Sequence, residues 1–103
     1  MSKLHRASRR QEDQQAAKIG GSRNAASGAL DFRKNDVRNE TESWELKYTT
    51  AKQYTLRLAD LLEAEKQALL DNGRLMRFGL RMGDRDWVIL SQEDYDMLKE
   101  EAL

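Results

Sequence analysis

Trp44, Leu46 and Tyr48 alternate with Glu45 and Lys47, and further on Leu58, Leu61, Leu62 and Leu69 recur at three- and four-residue intervals with Glu65 in step. The first pattern has a period of two and specifies a strand with one buried face; the second has the period of a helix with an apolar stripe. A chain that holds both must cover a sheet with helices, because each element buries its apolar side only against another layer. The expected fold class is therefore α/β, with a small mixed central sheet flanked by helices. The alternation also sets Glu45 and Lys47 side by side on the opposite face of their strand.

The remaining elements follow from local signals. From Arg9 to Ile19 the run RRQEDQQAAKI consists of good helix formers, and Gly20-Gly21 offers a stop where a left-handed residue is cheapest. Its apolar residues, Ala16, Ala17 and Ile19, lie near its end, so this short helix is expected to depend on a neighbour. Residues 1–8 read as a flexible basic leader to a single domain over 9–103. Residues 20–35, rich in Gly, Ser and Asn, read as a long mobile loop with room for a short strand at Ala29–Phe32. Asp36-Val37-Arg38 and a polar turn, NETES, lead into Trp44–Tyr48.

The long helix is expected over Thr55–Asn72 with Asn72-Gly73 closing it, then strands over Arg74–Met82 and Trp87–Leu90 joined by a Gly83-Asp84 turn. Ser91 is placed to cap a last helix through the Asp94 N–H, with Tyr95, Leu98 and Leu103 on its inner face. The expected core comprises Trp44, Leu46, Leu61, Leu62, Leu69, Phe78, Trp87, Val88 and Leu90. Met76, Met82 and Met97 are expected to serve packing or an interface.

Composition narrows the chemistry. A chain of 103 residues has room for one small domain, and its lack of cysteine removes disulfides, thiolate zinc sites and cysteine nucleophiles. The one histidine, His5, sits in a polar stretch without partners for a triad or a metal site. Formal charge is zero overall, but residues 1–57 carry twelve Lys/Arg and seven Asp/Glu, net +5, leaving residues 58–103 at −5. The basic half, which also holds the polar motifs, is where a polyanion is expected to dock. No segment approaches the roughly 20 apolar residues of a bilayer span, so no membrane role and a cytoplasmic location are expected.

Asp36 followed at a distance by Glu45-Leu46-Lys47 is the most informative spacing. An Asp at the end of one strand and a Glu at the start of a paired one can converge on a divalent cation that wants hard oxygen ligands. Lys47, on the face of Glu45, can then meet an attacking water or a phosphate. The same spacing also fits a solvated strand face on which Glu45 and Lys47 do no chemistry.

Taken together, Gly20-Gly21 after the first helix, Ser27-Gly28-Ala29, Asp36-Val37, Glu45-Leu46-Lys47 with Thr49, and a downstream helix leading to a hairpin resemble the archaeal-type Holliday junction resolvases and their phage relatives, within the PD-(D/E)xK nuclease superfamily. The resemblance covers roughly residues 9–90. It implies a restriction-endonuclease-like core, phage or prophage origin, and a Mg2+- or Mn2+-dependent endonuclease cutting branched DNA as a homodimer. Asp36 and Glu45 would then be metal ligands and Lys47 the lysine of the Glu-x-Lys motif. Glu12 would match an acidic residue of the first helix, with Asp13 its competitor, and Ser27 a loop serine near the phosphate. Asn35 departs from the Pro or Gly expected before Asp36, although Asn also accepts left-handed geometry. Arg33-Lys34 interrupt the preceding strand, and the chain is short for the group.

Arg23, Arg33, Lys34, Arg38 and Lys52 flank this constellation as candidate phosphate contacts, with Arg6, Arg9 and Arg10 extending the surface. Gln53 and Tyr54 could orient a nucleotide, or Tyr54 could pack where the chain approaches the long helix. Two other functions fit the same residues: a nuclease acting on flaps or ends, and a catalytically silent DNA-binding or assembly protein on the same fold.

Overall fold

The structure, a computed structural model, describes residues 3–24 and 35–102. Helix α1 (Lys3–Ile19) precedes β1 (Ser22–Arg23), β2 (Val37–Arg38) and β3 (Glu42–Tyr48); α2 (Leu58–Leu70) leads to β4 (Leu75–Met82), β5 (Arg85–Ile89) and α3 (Gln92–Glu101). The strands form one mixed sheet in the order β1-β2-β3-β4-β5. Every neighbouring pair is antiparallel except β3 and β4, which α2 connects as a crossover. The expected α/β class, a mixed sheet flanked by helices, is the one observed.

The sheet packs on both faces. On one, Val37, Trp44 and Leu46 meet Ala16 and Ile19 of α1. On the other, Met76 and Phe78 meet Ala64 and Ala68 of α2, with Tyr54, Leu61 and Ile89 around them. Since Trp44 and Leu46 face α1, the alternation along β3 turns Glu45 and Lys47 toward the α2 side. Two glycines permit close approach. A Cβ on Gly79 would lie 2.7 Å from Leu46 Cδ2, and one on Gly21 would lie 2.0 Å from the Arg38 carbonyl oxygen.

Several boundaries match the sequence reading. Gly83 and Asp84 both have positive φ, 65° and 56°, which is the backbone of a tight hairpin turn between β4 and β5. Ser91 Oγ accepts the Asp94 N–H at 3.0 Å. Asn72 and Gly73, both left-handed, end α2.

Other expectations are corrected. The leader expected over residues 1–8 is helical from Lys3, because nothing in that stretch stops a helix before Gly20. α2 begins at Leu58 rather than Thr55: Arg57 is extended, and Tyr54 is held against the sheet by the α2 cluster. β1 was not expected. The strand expected at Ala29–Phe32, like the mobility of the loop from 25 to 34, lies outside the described residues.

The largest correction concerns the apolar stripe. Small residues, Ala64 and Ala68, make the contact of α2 with the sheet, while Leu58, Leu62, Leu69 and Leu70 are 70%, 52%, 70% and 59% exposed. With Ala64, Ala68 and Leu61 on the sheet side of the helix, the four other leucines fall on its outer side. Trp87 and Val88, expected in the core, are exposed on the outer strand, and Ile89 instead of Leu90 joins the core. α3 buries none of its residues, so Tyr95 and Leu98 have no inner face to occupy; the helix is tied by its Ser91 cap and by Asp94, 3.7 Å from Arg77. Leu103 lies outside the described residues. Among the described residues no helix is long and apolar enough to cross a membrane.

Candidate active site

The β2–β3 hairpin is set by Asn39. Its Oδ1 accepts the N–H groups of Thr41 and Glu42 at 3.0 and 2.7 Å, turning the chain so that Val37 pairs with Trp44. That antiparallel register brings Asp36, directly before β2, against the middle of β3. The expectation of Asp at a strand end and Glu at a strand start is corrected accordingly: Asp36 opens its strand and Glu45 is central in its own.

Asn35 fixes the approach to Asp36. It is 3% exposed, and its amide donates to Ser43 Oγ and to the Ala64 carbonyl, both at 2.9 Å. Asn35 is not among the residues with positive φ, so it serves here through its side chain and not through left-handed geometry.

Asp36 Oδ2 accepts the Leu46 N–H at 2.8 Å, and the Asp36 carboxyl is hydrogen-bonded to that of Glu45. Burial, foremost, pushes the Glu45 carboxyl up to about 8; the hydrogen bond to Asp36 and the Asp36 charge add to this, Lys47 opposes it, and Asp60 raises it further. Lys47 Nζ lies 3.8 Å from Glu45 Oε2. From the other layer, α1 brings Glu12 close enough to feel Asp36. Its carboxyl is also raised, by burial first and Asp36 next, against Arg23 and Arg9. Asp13, the competitor for that role, is 3.1 Å from Arg23 Nε and well exposed. The buried Gln11 donates to the Lys47 carbonyl at 2.8 Å and clamps α1 over the end of β3.

The structure thus brings together Asp36, Glu45 and Lys47, with Glu12 in the field of Asp36 from the other layer. Asp60, in the first turn of α2, belongs with them and was missed, because only the crossover carries it there. Ser27, Arg33 and Lys34 lie outside the described residues. Arg23 is shared between Asp13 and the field of Glu12. Arg38 pairs with Asp71, the residue that ends α2, which Arg74 also contacts at 3.1 Å. Lys52 and Gln53 are exposed, as are Arg6, Arg9 and Arg10, while Tyr54 packs in the α2 cluster.

Among the described residues no three His, Cys, Asp or Glu side chains stand together as a group that could hold a metal ion. The pair Asp36–Glu45 nevertheless fits a hard divalent cation in its donor chemistry: two carboxyls held in contact, one of them kept protonated near neutrality, present oxygens whose shared proton a cation would replace. Comparison of the chain with protein-family models, curated proteins and solved structures finds no match in any of them.

Proposed function

We propose that the chain is a metal-dependent, structure-selective endodeoxyribonuclease that hydrolyses phosphodiester bonds in branched DNA, as the archaeal-type junction resolvases it resembles do. The observation that carries this reading is the half-buried Asp36–Glu45 carboxyl pair, with Lys47 beside Glu45 on β3. Carboxyl pairs in which one member has its acidity shifted by the other recur where a site is built for chemistry. The element order, with β1–β2–β3 antiparallel and β4 parallel to β3 across α2, supports the restriction-endonuclease-like core that the resemblance implies.

Asp36 and Glu45 are the residues that would hold Mg2+ or Mn2+, with Glu12, in the field of Asp36, the further acid that the resemblance implies; the ion when bound lowers the pKa of water and neutralises charge on the phosphate in the transition state. Lys47 is placed to orient the attacking water or to contact the scissile phosphate, its Nζ 3.8 Å from Glu45 Oε2. Asp36 is held in position by the Leu46 N–H, and Gln11 fixes the backbone of Lys47. Arg6, Arg9, Arg10, Arg23 and Lys52 are described, exposed cations that could meet the backbone of the DNA. The further partner is a second copy of the chain, for which the exposed leucines of α2 offer an apolar surface; the location that goes with this reading is the cytoplasm, of a bacterial host if the gene is a phage's.

The test is cleavage of a labelled four-way junction beside matched linear duplex, in Mg2+, in Mn2+ and in chelator, with wild-type and Lys47→Ala protein. Paired, metal-dependent nicks in the junction that vanish with Lys47→Ala support the reading. Preference for flaps or ends would narrow it to a different nuclease, and binding without cutting in either metal would replace it with a silent DNA-binding protein.

A further inference from the structure

Resting on that reading, we propose that the β4–β5 hairpin carries a nucleotide subsite: the Trp87 indole stacks an unpaired base and Arg85 takes the adjoining phosphate, so that the preferred DNA is single-stranded beside the bond that is cut. The sheet register places it. Lys47 pairs with Leu80, and Leu80 with Trp87, so the three form one row across β3, β4 and β5 and share a face of the sheet. With neighbouring strands about 4.8 Å apart, the backbone of Trp87 is about 10 Å from that of Lys47, on the side to which Glu45 and Lys47 point.

The indole is held and open at once. Its Nε1 donates to the Met82 carbonyl at 3.1 Å, yet the residue is 45% exposed. A large aromatic ring anchored by its polar end on a tight turn, with its surface left to solvent, is a rigid stacking platform. Arg85 stands over the ring, its Cζ 5.4 Å from the centroid, and has no carboxylate partner among the described residues. Asp86, the nearest acid on the strand, is neutralised by Arg81 through two hydrogen bonds of 2.7 and 2.9 Å. Aromatic ring plus unspent guanidinium is the combination that binds single strands irrespective of sequence, the ring taking the base and the cation the phosphate. A duplex, whose bases are already stacked, gains nothing from the ring.

The experiment is done in chelator, so that binding is read apart from cutting. Wild-type protein is titrated with oligothymidylate of about ten nucleotides and with duplex of the same length, and tryptophan fluorescence is followed. Trp44 is buried under α1, so quenching reports Trp87. The expected result is quenching by the single strand, about tenfold weaker single-strand binding for Trp87→Ala with duplex binding unchanged, and near wild-type binding for Trp87→Phe. Arg85→Ala is expected to weaken single-strand binding and flatten its salt dependence, and Asp84→Asn to strengthen it. Unchanged single-strand binding by Trp87→Ala overturns the subsite, as does conversion of an oligomer to monomers by that substitution, which would assign the ring to a contact between copies. The two readings fail separately. Trp87-dependent binding without cleavage in metal removes the nuclease and leaves the subsite, and cleavage with Trp87-independent binding does the reverse.

Discussion

Asp36 Oδ2 accepts the backbone N–H of Leu46 at 2.8 Å, which pins the carboxyl of one strand between Glu45 and Lys47 of the next. Asp36→Asn keeps an oxygen for that N–H and removes the charge. Metal-dependent nicking is expected to fall by about a hundredfold or more, a typical scale for loss of an electrostatic stabiliser, while the melting temperature holds or rises because the Asp36 charge that disfavours ionised Glu45 is gone. A large loss of melting temperature would show that the carboxylate serves the fold instead.

The acidity of Glu45 makes a pH prediction. Its carboxyl titrates at about 8 in the fold against 4.5 in an ordinary environment, so between these values the folded chain holds a proton that the unfolded chain has lost. Stability of the metal-free protein therefore falls as pH rises through that window. Melting in chelator between pH 5 and 8 should show a declining temperature that Glu45→Gln levels out. Divalent binding displaces the same proton, so Mg2+ affinity by calorimetry should rise with pH over the window.

Asn35 donates to two buried acceptors. Asn35→Ala leaves Ser43 Oγ and the Ala64 carbonyl without this donor, and should cost about 1–3 kcal/mol in urea unfolding. Because the loss loosens the approach to Asp36, nicking should fall with it; wild-type stability in the variant would refute the anchoring role.

Gly21 and Gly73 separate two reasons for glycine. At Gly21 a Cβ would sit 2.0 Å from the Arg38 carbonyl oxygen, so Gly21→Ala must push β2 from the end of α1 and lower stability by about 1–3 kcal/mol or more. At Gly73 there is space, and only the φ of 67° opposes Gly73→Ala, at about 1–2 kcal/mol. Nicking should respond to the first, which abuts the β2 strand that Asp36 precedes, and remain intact in the folded fraction of the second.

The leucines of α2 test self-association. Leu62→Glu and Leu69→Glu change exposed positions and should leave the stability of a lone chain within about 0.5 kcal/mol. Sedimentation should show the wild type as a dimer and the variants as monomers. Monomeric wild-type protein would remove the second copy.

Where periodicity and caps act locally, the sequence was readable: β3 from Trp44 to Tyr48, the Gly83-Asp84 turn and the Ser91 cap all rest on residues close in the chain. Asp36, Glu45 and Lys47 were legible for the same reason, since one hairpin carries all three. What escaped depends on distance. A leucine stripe and an alanine stripe share α2, and only the nearness of the sheet decides which is buried. Asp60 reaches Glu45 through a crossover, and Gln11 reaches the Lys47 carbonyl across 36 positions. Asn35 was misread because its backbone habit is visible in sequence and its two buried acceptors are not.

The parallel pairing of Glu45 with Phe78 has a consequence for the nascent chain. β4 can lie against β3 only after the whole of α2 has been made, and such non-local pairing forms late. A ribosome that has released the β2–β3 hairpin alone has released a Glu45 that already faces Asp36 but lacks the cover of α2 and β4. The burial that contributes most to its altered acidity is supplied by residues made afterwards, so the carboxyl matures chemically only when translation has passed β4.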